Sequence, residues 1–339
     1  MIAILGGGVA GASLAWALAR RGCRDVLVLD PRPPASGSTG RATGGFRTQF
    51  VNPLNIALSL ASRPFFEARA ARIRFRAAGY LLLAFDQATA DELRAREEIQ
   101  RAAGLPIERP DLRALLPFFD TRDVVRANFC RLDGVYHPPL VLQALVEEAE
   151  AAGARFRYGE PVRPEAVEAE TVVIAAGIWS AEVGAALGVR LAVEPSERGV
   201  FALAPFAGLH PDLPLTIDSG AGWGFRERDG RLVVQTPGDP HDWDTVRAWL
   251  RRHIPSAAAE APLEHWTGFY EMTSDLHPLV GRTERPGVWA SCGFSGHGVM
   301  HAPAVAESLA AMILGESPPI DITPLSPLRR EPLVDRTQV

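Results

Sequence analysis

"IAILGGGVAGASLAWALARRGCRDVLVLD" (Ile2–Asp30) reads as strand, tight turn, helix and second strand. Ile2–Leu5 is a short apolar strand. Ala12–Arg21 is expected to be helical, with Leu14, Trp16 and Leu18 set against Arg20 and Arg21, and Gly22 closes it. Val26–Leu29 is the second strand. Gly6, Gly8 and Gly11 lie between strand and helix at the spacing G-x-G-x-x-G. Gly6 permits the tight turn, Gly8 lets backbone approach a pyrophosphate, and Gly11 lets helix and strand pack closely. The helix N-terminus offers free N–H groups and partial positive charge to phosphates. Asp30, ending the second strand, is placed to accept hydrogen bonds from ribose hydroxyls. Strand, glycines, helix and acid all fall in register, so the segment predicts a dinucleotide site; it does not by itself separate NAD from FAD.

Composition narrows the rest. The chain has 339 residues, 47% hydrophobic and 22% charged, enough for two domains or one large α/β unit. A net charge of -5 argues against nucleic acid as a partner. No apolar run reaches the length of a transmembrane helix. The first strand starts at Ile2, so no export signal is expected, and a cytoplasmic location is the simplest expectation. Cys23, Cys130 and Cys292 are far apart and odd in number, which suggests neither a disulfide framework nor a zinc site. All 35 Lys+Arg residues are arginine.

Two later stretches return to the first sheet. Pro138–Val162 predicts a helix closed by Gly153 and then a strand, followed by a buried strand Val172–Ala175 that turns at Gly177. Gly287–Leu314 predicts a strand, a glycine loop and a long helix. A nucleotide domain assembled from three separated segments is typical of flavoproteins. Elsewhere, Ala78–Phe85 and Gly230–Thr236 are strand-like and Thr89–Ala103 is a charged surface helix. The proline-rich end is read as an extended arm with a loose tail.

The pieces "GGGVAGAS", "STGRATGGFRTQF", "GVYHPPLV", "VVIAAGIWS", "GFYEMTSDLHPLVG" and "GFSGHGVMHAPAV" span most of the chain. Together they resemble the D-amino-acid oxidase/sarcosine oxidase superfamily of FAD-dependent amine oxidoreductases, especially its sarcosine oxidase β-subunit-like and dimethylglycine dehydrogenase-like members. The resemblance implies an α/β plus α+β fold. A discontinuous, Rossmann-like FAD domain would comprise residues 1–75, 134–190 and 275–320. A substrate domain with a mixed or antiparallel sheet would comprise 76–133 and 191–274, and 321–339 would be the arm.

It also implies roles. Gly44 and Gly45 would lie close to the flavin, and Arg47 would grip a substrate carboxylate, a task suited to the guanidinium fork. Tyr270 and His277 would complete the active site. Thr39, Arg41, Val162 and Gly177 are implied as cofactor neighbours. Gly293, Ser295, Gly296, His297, Gly298, Val299 and Met300 would open the last helix towards the flavin, whose negative charge on reduction a helix N-terminus stabilises. Gly268 and Arg41 stand where relatives attach flavin through cysteine or histidine, so FAD is expected to be noncovalent. Met300 replaces a carboxylate-binding lysine of sarcosine oxidases. Val233 stands at the position of their oxygen-activating lysine, with Arg226 or Arg228 as substitutes. The expected reaction is oxidation of the C–N bond of a small carboxylated amine, passing electrons to a quinone, an electron-transfer protein or O2, with dehydrogenase favoured over oxidase. The alternative is a flavoprotein subunit or assembly factor of a larger complex, with a hetero-oligomeric partner and little turnover.

Overall fold

A computed structural model describes residues 1–259 and 261–333. Two sheets dominate. The first has six strands in the order Leu279–Arg282, Val288–Cys292, Thr171–Ile174, Ile2–Leu5, Val26–Asp30, Arg155–Tyr158. All neighbours run parallel except the edge strand Leu279–Arg282. Central strands such as Ile2–Leu5 are buried throughout, as parallel strands covered on both faces must be. The helix Val9–Arg20 packs against Pro138–Ala151 and Gly298–Leu314, and these three join the strands and the helix Pro53–Ala68 in the largest core cluster.

The second sheet has eight strands in the order Glu264–Met272, Glu194–Leu203, Arg231–Thr236, Gly224–Arg228, Leu215–Asp218, Tyr80–Ala84, Arg126–Cys130, Ile107–Glu108. It is antiparallel except where Leu215–Asp218 pairs in parallel with Tyr80–Ala84. One face packs on the amphipathic helix Trp243–His253 through Phe225, Trp249 and Leu250. The other face carries Gly224, Arg226, Val233 and Gln235, which alternate along two paired strands, Arg226 opposite Val233 and Gly224 opposite Gln235. Those residues line the candidate site.

A two-stranded ribbon, Gly45–Phe46 with Gly134–Val135, joins the sheets at that point. No described helix is long and apolar enough to cross a membrane.

The described part of the C-terminal arm is docked. Ile322 and Leu325 are fully buried around a 3₁₀ turn, Thr323–Leu325. Arg329 grips Asp275 with two hydrogen bonds of 2.8 and 2.7 Å and donates to the carbonyls of His277 and Pro278. The prolines favour an extended path, and buried apolar and ionic contacts hold its described part in place. The tail beyond residue 333 lies outside the described residues. Arg329→Ala leaves the Asp275 carboxylate without its main partner. The expected cost is about 2 kcal/mol, below that of a wholly buried pair because the arginine side meets solvent. Urea unfolding of the apoprotein measures it.

Candidate active site

The glycine turn folds as its spacing requires. Gly6 has φ +116°, and a Cβ there would overlap the Ala175 carbonyl of the neighbouring strand crossover. A Cβ on Gly11 would overlap the Gly6 carbonyl oxygen. Gly8 differs: it has ordinary backbone angles, and the nearest atom to an added Cβ is Thr39 Oγ1 at 3.4 Å. It faces a cleft lined also by Asp30, Thr39, Gly177, Gly296, Gly298 and Val299. Thr39 Oγ1 accepts the Val9 N–H at 3.1 Å. Asp30 accepts the N–H groups of Gly7 and Arg32, so its carboxylate fixes the loop as well as facing the cleft.

Two helix N-termini open on this cleft. Neither Gly8, before Val9–Arg20, nor His297, before Gly298–Leu314, caps its helix with a side-chain bond. Two helix starts at one cleft, the first with its Val9 N–H taken by Thr39 and neither capped by its own N-cap side chain, suit a polyanionic dinucleotide at one end and a ring that gains negative charge at the other. The cradle therefore fits FAD. Here Gly7, Gly8, Thr39 and Gly177 would hold the dinucleotide, and the Gly296–Val299 turn would face the ring.

Glu271 was not anticipated. It lines the cleft, and its carboxylate accepts the Gly293 N–H at 2.9 Å while its carbonyl accepts the Ser295 N–H at 3.0 Å. Burial pushes its pKa up to about 7, against the backbone N–H groups of Gly293 and Phe294. Ser295, at φ +49°, is held by Thr273: the Thr273 N–H donates to its hydroxyl at 3.2 Å. Gly293 and Ser295 thus shape the turn from behind and do not line the cleft.

Ala42, Tyr270, Gly296 and Val299 are shared with a second cavity. Its walls include Gly44, Gly45, Arg47, Tyr80, Tyr136, Arg226, Val233, Gln235, His297 and Met300. Gly44 has φ +86°, and Gly45 leaves no room for a side chain between Leu215 and Tyr80. Arg47 is 2% exposed. Its backbone N–H meets Met300 Sδ at 3.3 Å, its Nη2 donates to His297 Nε2 at 3.1 Å, and its Cζ lies 4.4 Å from the Phe50 ring centre. Its Nε–H has no partner among the described residues. Because guanidinium only donates, His297 Nε2 must accept, so this histidine is neutral. Burial holds its pKa well below the ordinary value, with Arg47 as the next cause. Below Arg47, Asp133 accepts from the Thr48 hydroxyl (2.5 Å), the Thr48 N–H and the Gln49 amide, fixing the chain that carries the arginine. Its own burial raises it to about 6. Gln235 Nε2 donates to the Tyr270 hydroxyl at 3.0 Å, and burial raises the Tyr270 pKa.

Three expected residues lie elsewhere. Arg41 is exposed, donates to the Thr267 carbonyl and lines an outer groove with Arg228 and Trp266. Val162 packs on the apolar cluster of Leu5, Val172 and Ile174. His277 is fully buried; its Nδ1 lies 2.7 Å from the Asp275 carbonyl and its Nε2 3.2 Å from Asn55 Nδ2. These bonds make it part of the turn, not of the cavity wall. Neither substituted tether position offers an attachment: Gly268 lies against Arg41 Cβ, and neither cavity is lined by a cysteine.

A dinucleotide cradle on a parallel sheet, opening into a buried cavity roofed by a second sheet, defines a flavoprotein oxidoreductase. The chain belongs to the FAD dependent oxidoreductase family, whose model matches residues 1–312. It is 28% identical to "FAD-dependent oxidoreductase domain-containing protein 1" of Xenopus laevis, over all of this chain and 84% of the relative. It is 27% identical to the glycine oxidase of Geobacillus kaustophilus, over 96% of each. In fold it is similar to L-proline dehydrogenase from P. horikoshii, with a TM-score of 0.88, 24% identity and 96% of both chains covered.

Proposed function

We propose that this protein oxidises the C–N bond of a small carboxylated amine, an amino acid or N-methyl amino acid, and passes the electrons on as a dehydrogenase. The observation that carries the reading is Arg47: a buried cation, with an unmet N–H, in a cavity that no described acidic residue lines. Asp133 acts on Arg47 from off the cavity wall, so the cavity side of this buried charge has no carboxylate, and a substrate carboxylate supplies one in bidentate form. The glycine oxidase relative, an enzyme named for an amino-acid substrate, supports the same class.

Bound flavin supplies the acceptor for a hydride from the carbon beside nitrogen. The chain's own residues do the rest. Arg47 fixes the carboxylate end, which places that carbon at a set distance from the Gly296–Val299 turn; Tyr270 bridges cleft and cavity and shapes the passage between them. No side chain of the wall is a free base, since the His297 Nε2 lone pair is taken by Arg47 and burial keeps the tyrosines protonated. The amine therefore enters neutral, having left its proton in water.

The choice of acceptor rests on Val233. It is apolar and lines the cavity, offering no charge of its own to an oxygen-derived anion, while the candidate substitute opposite it, Arg226, is tied to the carbonyls of Gly44, Tyr136 and Glu227. Anaerobic mixing with a panel of amino and N-methylamino acids should bleach the flavin, and reduced flavin should then reoxidise slowly in air and fast with a quinone or dye. A flavin that no amine bleaches removes the catalytic reading and favours the subunit or assembly role. Peroxide formed as fast as substrate turns over removes the dehydrogenase assignment alone.

A further inference from the structure

The cavity holds a second buried arginine. Arg226 is 4% exposed and lines the same wall. Its Nη1 donates to the carbonyls of Gly44 and Tyr136 and its Nε to the carbonyl of Glu227. Strand alternation sends the neighbouring Glu227 to the opposite face, where Arg76 and the Gly230 N–H hold it. So the cavity wall holds two cations, Arg47 and Arg226, and no carboxylate; the acids that act on them, Asp133 and Glu227, lie off that wall. Burial brings its pKa down to about 9, with Arg228 and Arg76 acting in the same direction.

The two guanidinium groups flank one space. Gly44 and Gly45 are adjacent; an added Cβ on the first would meet Arg226 Nη1 at 3.1 Å, and one on the second would meet the Tyr80 ring at 3.0 Å. That ring centre lies 6.0 Å from Arg47 Cζ. The Tyr80 hydroxyl feels both cations. Between them the wall presents Tyr136, Tyr270 and Gln235, neutral groups able to bond an amine or a carboxylate edge. A monocarboxylate compensates one of the two charges and leaves the other buried alone.

We propose that the substrate is an amine bearing two carboxylates, one held by Arg47 and the other by Arg226. This rests on the amine-oxidoreductase reading and narrows its substrate. The first arm of the test does not depend on turnover. FAD-loaded protein is titrated with thiodiacetate and with (methylthio)acetate, which differ by one carboxylate, and binding is read from the shift in flavin absorbance. Thiodiacetate should bind at least tenfold more tightly, and Arg226→Gln should bring the ratio close to one. Equal affinities in the unaltered protein overturn the proposal, as does a ratio that survives Arg226→Gln. The unaltered protein decides the question even if the variant fails to fold. The second arm compares anaerobic bleaching by N-methylaspartate and N-methylalanine. If N-methylalanine bleaches as readily and the binding ratio is absent, the dicarboxylate proposal fails and the amine reading stands. If neither amine bleaches the flavin while thiodiacetate retains its advantage, the amine reading fails and the two-carboxylate site stands.

Discussion

Gly8→Glu should yield a folded protein that is isolated without its yellow colour. The two halves of that result come from different features. Gly8 has φ -75° and ψ -172°, angles open to any residue, and an added Cβ meets nothing closer than Thr39 Oγ1 at 3.4 Å. The backbone therefore accepts the change. The carboxylate, however, enters the cleft at the start of Val9–Arg20, where a dinucleotide would place its phosphates. There it competes for the helix N-terminus and repels the diphosphate. A like charge at about 4 Å, with an effective dielectric constant of about 20, costs on the order of 4 kcal/mol, or roughly a thousandfold in affinity. Gly11→Ala is the contrasting variant. Its Cβ would overlap the Gly6 carbonyl oxygen, so it should lose stability together with flavin. The measurements are the ratio of flavin to protein absorbance after purification and the thermal unfolding of each variant. A Gly8→Glu protein carrying a full complement of FAD would show that the diphosphate lies elsewhere.

The difference between those glycines shows how much was legible in the sequence. Local constraint is written locally. The glycine spacing, the closing Gly22 and Gly153, and the helical run after Gly298 all act over a few residues, and helices form at Val9–Arg20, Pro138–Ala151 and Gly298–Leu314. The wall of the second cavity is written in sheet register, which no single stretch contains. Tyr80 faces the cavity because its strand pairs in parallel with Leu215–Asp218, more than a hundred residues away. In the sequence Arg226 stands out only as a substitute for a missing lysine; its place beside Gly44 follows from pairing with Arg231–Thr236. Glu271 gave no signal, since a carboxylate that accepts a backbone N–H of a distant turn looks like any surface acid in a one-dimensional reading. His277 misled in the opposite sense. A histidine in a turn suggests chemistry, but here the Asp275 carbonyl and Asn55 occupy both ring nitrogens. Arg41 misled because the last residue of the short helix Ser38–Arg41, next to cavity-lining Ala42, points outward.

Arg47→Met should separate binding from stability. Methionine keeps much of the side-chain volume and removes the charge. Losing two charge-assisted hydrogen bonds to a carboxylate, at about 1.5–3 kcal/mol each, weakens binding by a hundredfold or more. Arg47→Lys keeps the charge and loses the fork, so it should fall between the variant and the unaltered protein. Stability should move little. The substitution removes a buried cation with an unmet Nε–H, a gain of about 1–3 kcal/mol, and loses the contact with the Phe50 ring and the donor to His297, a loss of similar size. Asp133 is the group that responds: Arg47 lowers its pKa, so without the arginine it takes up a proton more readily within its network with Thr48 and Gln49. The apoprotein should therefore unfold within about 1 kcal/mol of the unaltered chain while a carboxylate ligand no longer perturbs the flavin spectrum. An arginine kept for structure would give the reverse, with several kcal/mol of stability lost and carboxylate affinity preserved in whatever protein remains folded. Urea unfolding of the apoprotein and carboxylate titration of the FAD-loaded form, done on the same variant, decide between the two.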